Sequence, residues 1–287
     1  MKIKIWGCRG SLASPGPKTI RYGGHTTCVE VRTANNELII IDAGSGLRGL
    51  GRSLVRRKAH GNITMLLTHA HWDHLNGFPF FAPAYLPQFT ITFCGGPIAH
   101  ESVRGYMAHQ MRPPFFPIDF SHLKAKFNFG CECGQSDCRG RLAGISRGLH
   151  CQTLPLNHPN GGRGFKFVEN GKTFVFLTDN ELGFPHPGGL SRDDYVRHCA
   201  GADLLLHDAQ YNHKEYQKTR GWGHSTYEEA VDLALAAGVK RLGLFHHDPA
   251  RSDADLDKQV AACRKRIAKA GSRMRCFAAA EKMLIIL

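Results

Sequence analysis

The 287 residues are 42% hydrophobic and 21% charged, a globular balance that excludes wholesale disorder. No run approaches the ~18 apolar residues of a membrane helix, and the opening MKIKIWGCRG reads as a first strand, so a membrane protein and a secreted precursor are both disfavoured. The formal charge of +13 attracts phosphates, nucleotides or RNA, or else simply solvates a basic surface.

Lys2 to Trp6 alternates polar and apolar residues, as a strand does. Residues 28–33 and 38–41 form a hairpin around Ala34-Asn35-Asn36-Glu37. The turn Asp42-Ala43-Gly44-Ser45-Gly46 opens a helix over 47–57. Residues 63–67 are a buried type of strand that runs into Thr68-His69. The stretch 78–150 breaks this rhythm with seven prolines and many aromatics between them, and it reads as an insertion or lid with one helix near 100–111. Strands follow at 172–178, ending at Asp179, and at 203–206, ending at His207-Asp208. A helix starts at Ser225, with Glu228 completing a capping box, and closes at Gly238. The strand 239–245 delivers His246-His247-Asp248. The last helix aligns Leu256, Val260, Cys263 and Ile267 on one face and stops near Gly271. Strand–helix alternation implies α/β layering, read here as one domain over 1–287 with the insertion at about 78–150.

The strongest signal is Thr68-His69-Ala70-His71-Trp72-Asp73-His74, three histidines and one aspartate just after a strand. A chance H-x-H-x-D-H is expected in about three per thousand chains of this composition. A strand end followed by a tight loop aims these side chains at one spot, where they offer the N and O donors that zinc takes. So many ligands so close suit two ions better than one.

H-x-H-x-D-H after an apolar strand resembles the metallo-β-lactamase-fold hydrolases, and the remaining expected elements follow in order across nearly the whole chain outside the insertion. The resemblance implies an αββα sandwich with its metals at one edge between two sheets. It implies that His69, His71 and His158 hold one divalent ion. Asp73, His74 and a late histidine hold the other, with Asp179 bridging. The late histidine is His246, the first residue past its strand, with His247 the alternative. The implied ions are two Zn²⁺, with Mn²⁺ or Fe²⁺ also accepted by these ligands. Asp42 supports the metal loop from behind. The implied chemistry is hydrolysis by a metal-bridging hydroxide.

An Asp as bridging ligand, with no Cys near it, fits the glyoxalase and phosphodiesterase branches. Leu204-Leu205-Leu206-His207-Asp208-Ala209 resembles the strand-end element of the tRNA 3′-processing endonucleases (RNase Z), and Gly223-His224-Ser225-Thr226 resembles their His-Ser-Thr element. Carried over, Asp208 orients His224, and His224 protonates the leaving oxygen. No long Gly/Pro and Lys/Arg-rich arm for gripping tRNA is evident, and Arg21 to Cys28 is more like the cyclic-nucleotide phosphodiesterase-like members. His25 within that stretch is read as packing. The leading expectation is a cytoplasmic phosphodiesterase acting on a small phosphodiester such as a cyclic nucleotide. The alternatives are an RNase Z-like endonuclease acting on RNA, a thioester or lactone hydrolase on the same scaffold, and a sensor that kept the ligands. A homodimer is left open.

Ten cysteines at irregular spacing are too sparse for a disulfide scaffold and imply a reducing compartment. One cluster stands out: Cys131, Cys133 and Cys138, with Cys151 or His150 as a fourth ligand, would hold a structural Zn²⁺ that staples the insertion.

Overall fold

The computed structural model describes residues 1–94, 103–129, 145 and 148–287. The first half of the chain runs β1 (Lys2–Gly7), β2 (Cys28–Arg32), β3 (Leu38–Ile41), α1 (Gly46–Arg56), β4 (Gly61–Leu66), β5 (Phe89–Cys94), α2 (Val103–Gln110) and β6 (Lys126–Asn128). The second half runs β7 (Leu149–Pro155), β8 (Arg163–Glu169), β9 (Lys172–Leu177), α3 (Arg192–Cys199), β10 (Leu204–Asp208), α4 (His213–Thr219), α5 (Tyr227–Ala236), β11 (Arg241–Phe245), α6 (Asp253–Lys269), β12 (Arg275–Ala278) and β13 (Leu284–Ile286).

These strands build two sheets, ordered β13-β1-β2-β3-β4-β5-β6 and β12-β11-β10-β9-β8-β7. Each sheet begins as an antiparallel meander and continues parallel, from β3 to β6 in one and from β9 to β12 in the other. The last strand, β13, returns to pair antiparallel with β1 and so ties the chain's end to its start.

Side chains that alternate across a strand explain why the sheets stack. On β3, Ile39 and Ile41 face the other sheet, while Leu38 and Ile40 face the outer core under α1. On β9, Phe174 and Phe176 face inward, while Val175 and Leu177 meet α3, α5 and α6. Both faces of each sheet are thus covered, and these strands read as unbroken apolar runs. The inter-sheet core is rich in rings, with Phe165, Phe167, Phe174, Phe176 and Phe245 all fully buried. Each such burial is worth roughly 2–3 kcal/mol. Leu47, Leu50 and Leu54 bury one face of α1, and Leu256, Val260, Cys263 and Ile267 bury one face of α6. The result is the αββα sandwich the sequence implied.

Two expectations change. The stretch 78–150 is not separate from the sandwich throughout, because β5 inside it pairs parallel with β4 in the larger sheet. Its period-two signal, Phe-Thr-Ile-Thr-Phe-Cys, is masked by Pro79, Pro83 and Pro87 just before it. The helix expected from Ser225 instead takes Thr226 as its N-cap, with Glu229 closing the capping box. Ser225 is committed elsewhere: its hydroxyl donates to the Asn180 carbonyl at 2.5 Å and accepts from the Leu182 amide at 3.0 Å. Cys131, Cys133 and Cys138 lie outside the described residues. Cys151 is buried on β7 in the inter-sheet core.

Candidate metal centre

The carboxyl ends of β3, β4, β9, β10 and β11 open onto one edge of the sandwich, where parallel sheets commonly place their ligands. Asp42 follows β3, Thr68 and His69 follow β4, Asp179 follows β9, Asp208 ends β10 and His246 follows β11. Three of these turn corners in the left-handed backbone region, with φ of 62° at Asp42, 51° at Asp179 and 57° at His246. Asp and His are among the residues that tolerate this region, and such backbone concentrates at functional sites. A single 3₁₀ turn over Trp72–His74, closed by the His74 amide on the His71 carbonyl, folds Asp73 and His74 back beside His69.

Two donor groups result. His69, His71, His158 and Asp179 place one donor atom each within 4.8 Å of one another, and so do Asp73, His74, Asp179 and His246. Asp179 belongs to both. In the first group His158 Nε2 lies 3.0 Å from His71 Nδ1, and His69 Nε2 lies 3.6 Å from Asp179 Oδ2. In the second, His74 Nε2 and His246 Nε2 are each 3.2 Å from both Asp73 Oδ2 and Asp179 Oδ1, and 3.4 Å from each other.

This donor set fits divalent ions. His69 Nε2 is buried with no hydrogen-bond partner, an expense a folded protein avoids unless something else fills the place. Ring nitrogens face ring nitrogens, and carboxylates converge with them, which is a poor hydrogen-bond network but a suitable set of N and O ligands. Burial, reinforced by His74, holds the His69 imidazole well below its usual pKa, and burial takes His158 down to about 3. Both are therefore neutral at pH 7, the state a metal requires. Burial opposes charge on His74 as well, yet Asp179, Asp73 and Asp42 overcome it and raise its pKa well above the ordinary value. A cluster of carboxylates that draws a proton onto a buried ring is one that attracts cations.

The far side of three of the rings is also held. His74 Nδ1 donates to Asp42 Oδ2 at 2.8 Å, and Asp42 is fixed in turn by the amide and hydroxyl of Thr68, both at 2.8 Å. His158 Nδ1 donates to the Gly223 carbonyl at 3.0 Å, and His246 Nδ1 donates to Gln210 Oε1 at 2.8 Å. The Ser11 amide donates to Asp73 Oδ2 at 2.8 Å. Such outer contacts set the tautomer and aim Nε2 inward. Gln210, Thr68, Ser11 and Gly223 were not picked out as supports from the sequence, since none carries a spacing signal of its own. His247 is excluded from the cluster: its Nε2 donates to the Ala279 carbonyl at 2.9 Å, away from the carboxylates. His25 packs in its loop, with Nδ1 3.2 Å from Ser45 Oγ.

Beside the two donor groups stands the pair expected at the end of β10. His224 Nδ1 donates to Asp208 Oδ2 at 2.7 Å. The other oxygen, Asp208 Oδ1, accepts from the amides of Gln210 and Ser225, each at 3.1 Å. His224 stacks on His246 with ring centroids 4.9 Å apart. Burial disfavours the His224 imidazolium, but the contact with Asp208 more than offsets it and brings the pKa up to about 9. His224 Nδ1 is thus committed to Asp208, which leaves Nε2 for any further contact.

The sequence profile of the Beta-lactamase superfamily domain matches residues 37–247. The chain belongs to that family. A Ribonuclease Z of Halobacterium salinarum is 38% identical over 255 residues, covering 74% of this chain and 78% of that protein. Among solved structures, the metallo-β-lactamase fold protein YhfI from Bacillus subtilis superposes with a TM-score of 0.66 at 18% identity, covering 99% of each chain. The short form of human tRNase Z superposes with a TM-score of 0.63 at 21% identity, covering 100% of this chain and 99% of that one. These two superpositions establish the fold. The chain is a metallo-β-lactamase-fold hydrolase with a candidate His/Asp site for divalent metal. Among the described residues, no helix is long and apolar enough to cross a membrane.

Proposed function

We propose that this hydrolase is a phosphodiesterase acting on a small nucleotide diester such as a cyclic nucleotide. The observation that carries the reading is the 2.7 Å contact between His224 Nδ1 and Asp208 Oδ2 beside the donor groups. A phosphodiester must expel an alkoxide, which leaves badly without a proton, and a charged histidine at the site supplies one. In this reading His69, His71, His158 and Asp179 hold one zinc ion, and Asp73, His74, His246 and Asp179 hold the other. Bound there, the two ions would supply an activated water and the positive charge that stabilises the transition state. The protein's own part is to hold His224 charged, to aim its Nε2 at the leaving oxygen, and to keep Asp208 rigid through the Gln210 and Ser225 amides. Two exposed indoles flank the site in sequence, Trp72 at 58% exposure between His71 and Asp73, and Trp222 at 61% two residues before His224. Aromatic faces of this kind stack on nucleobases, which supports a nucleotide over a non-nucleotide diester. The cytoplasm is the proposed place of work, because ten cysteines at irregular spacing are too sparse for a disulfide scaffold.

A second reading, an RNase Z-like endonuclease that trims RNA 3′ ends, is favoured by the Halobacterium salinarum relative. The deciding experiment is hydrolysis of bis(p-nitrophenyl) phosphate by zinc-loaded protein, with Asp73→Ala as control, followed by cyclic nucleotides and a precursor tRNA in parallel. Turnover of the cyclic nucleotide supports the first reading, and cleavage of the precursor supports the second. A fully loaded protein inactive on all three would overturn both and leave thioesters and lactones as the substrates to test.

A further inference from the structure

Glu181 is completely buried on the loop that follows β9, yet it touches none of the candidate metal ligands' donor atoms. Four donors converge on its carboxylate. Tyr216 Oη donates to Oε1 at 2.6 Å and the Gly221 amide to the same oxygen at 2.7 Å. The Gly223 amide donates to Oε2 at 2.7 Å and His186 Nε2 to the same oxygen at 2.8 Å. A carboxylate has about four acceptor sites, and here all are used. A buried carboxylate is tolerated only when it is so satisfied, and the arrangement then becomes rigid.

The donors are not scattered. Gly221 and Gly223 sit on the loop between α4 and α5, and His224 is the next residue of that loop. Tyr216 ties the same carboxylate to α4. The Gly223 carbonyl receives His158 Nδ1, and the Glu181 amide donates to the carbonyl of Asn157, the residue before His158, at 2.8 Å. Glu181 therefore lies between the two loops that carry His158 and His224. Its two oxygens hold the second loop from beneath at two alternate amides.

We propose that Glu181 is a positioning residue, whose carboxylate fixes the Gly221–His224 loop so that His224 meets the leaving oxygen. The proposal rests on the phosphodiesterase reading, in which His224 is the proton donor. A carboxylate is required because every group around it donates. Glutamine would turn an NH₂ toward either the Gly221–Tyr216 pair or the Gly223–His186 pair, and the loop would shift to relieve the clash.

The test compares Glu181→Gln with the wild type on two esters of the same nucleotide, thymidine 5′-(p-nitrophenyl) phosphate and thymidine 5′-phenyl phosphate. The first leaving group needs little protonation and the second needs more. Glu181→Gln is expected to lower kcat on the phenyl ester by about 10- to 100-fold, the usual effect of a small misplacement, with much less loss on the nitrophenyl ester and little change in KM. In a His224→Ala background the same substitution is expected to add nothing further. An equal loss on both esters, or a loss that multiplies with that of His224→Ala, would overturn the positioning role. Tyr216→Phe removes one of the four donors and serves the same comparison if Glu181→Gln does not fold. Wild-type zinc-loaded protein that hydrolyses neither ester would remove the phosphodiesterase reading itself, whereas a His224→Ala enzyme that loses equally on both would remove the proton-donor role that Glu181 serves, so the two failures are distinct.

Discussion

Gly223 stands directly against the ring of His158: a methyl group built on its α-carbon would come within 1.9 Å of Nδ1. The backbone there has a φ of +93°, which side chains other than hydrogen rarely allow. Gly223 thus presents its carbonyl to His158 at hydrogen-bond distance only because nothing projects from its α-carbon.

Gly223→Ala is therefore expected to push His158 out of place. Metal content should drop toward one ion per chain, and turnover should fall at least ~10-fold, the low end for disturbing a ligand's supports. Elemental analysis of dialysed protein, alongside a rate measurement, checks both. A variant with full metal and a normal rate would contradict the role given to His158.

The activity should depend on pH through His224. Its pKa is raised from 6.5 to about 9, because Asp208 outweighs burial. The sign follows: the ring keeps its proton through neutral pH and loses it as the pH rises past about 9. With a poor leaving group, kcat should be level near neutrality and decline above about 9. Asp208→Asn removes the charge that raises the pKa, so the alkaline limb should move to lower pH and the neutral rate should drop by roughly 10²–10⁴-fold. A limb that stays in place in Asp208→Asn would separate it from His224.

Asp73→Ala removes a carboxylate that lies 3.2 Å from both His74 Nε2 and His246 Nε2. Hydrolysis should be abolished, and elemental analysis should find the second ion missing while the first remains. Unchanged metal content would contradict the assignment.

Gln210→Ala leaves every candidate ligand in place but strips His246 Nδ1 of its acceptor. Affinity at the second metal site should weaken by about 10- to 100-fold, read by competition with a chelating dye. The effect on the first site should be small, because Gln210 contacts none of its ligands among the hydrogen bonds that reach His69, His71 or His158.

The candidate site was legible in the sequence wherever its residues sit together or at a strand end. His69 to His74 announce themselves by spacing, and Asp179 and His246 by their place after apolar runs. The supports were hidden for a physical reason. Gln210, Gly223 and Glu181 act through hydrogen bonds brought about by tertiary contact, and such contacts leave no period behind. The fold shows the same division. Strands such as β3, buried on both faces, are unmistakable as apolar runs. By contrast β7 alternates buried and exposed residues, among them the exposed His150 and Gln152, and so lacks the apolar run that marks β3. The helix start at Thr226 was missed by one residue because Ser225 and Thr226 offer equal capping chemistry, and only the Asn180 carbonyl distinguishes them.

The two donor groups draw on both sheets, with His69, His71, Asp73 and His74 arriving from the first and His158, Asp179 and His246 from the second. Bound ions would therefore act as rivets through the open rim of the sandwich, adding to backbone links such as the Arg163 amide on the Thr68 carbonyl at 2.8 Å. Chelation should then register in the fold as well as in the chemistry. The rim would breathe, amides at the carboxyl ends of β4 and β9 would exchange faster together, and the melting temperature would track the free metal concentration. In such a protein, holding the ion and holding the fold are one equilibrium.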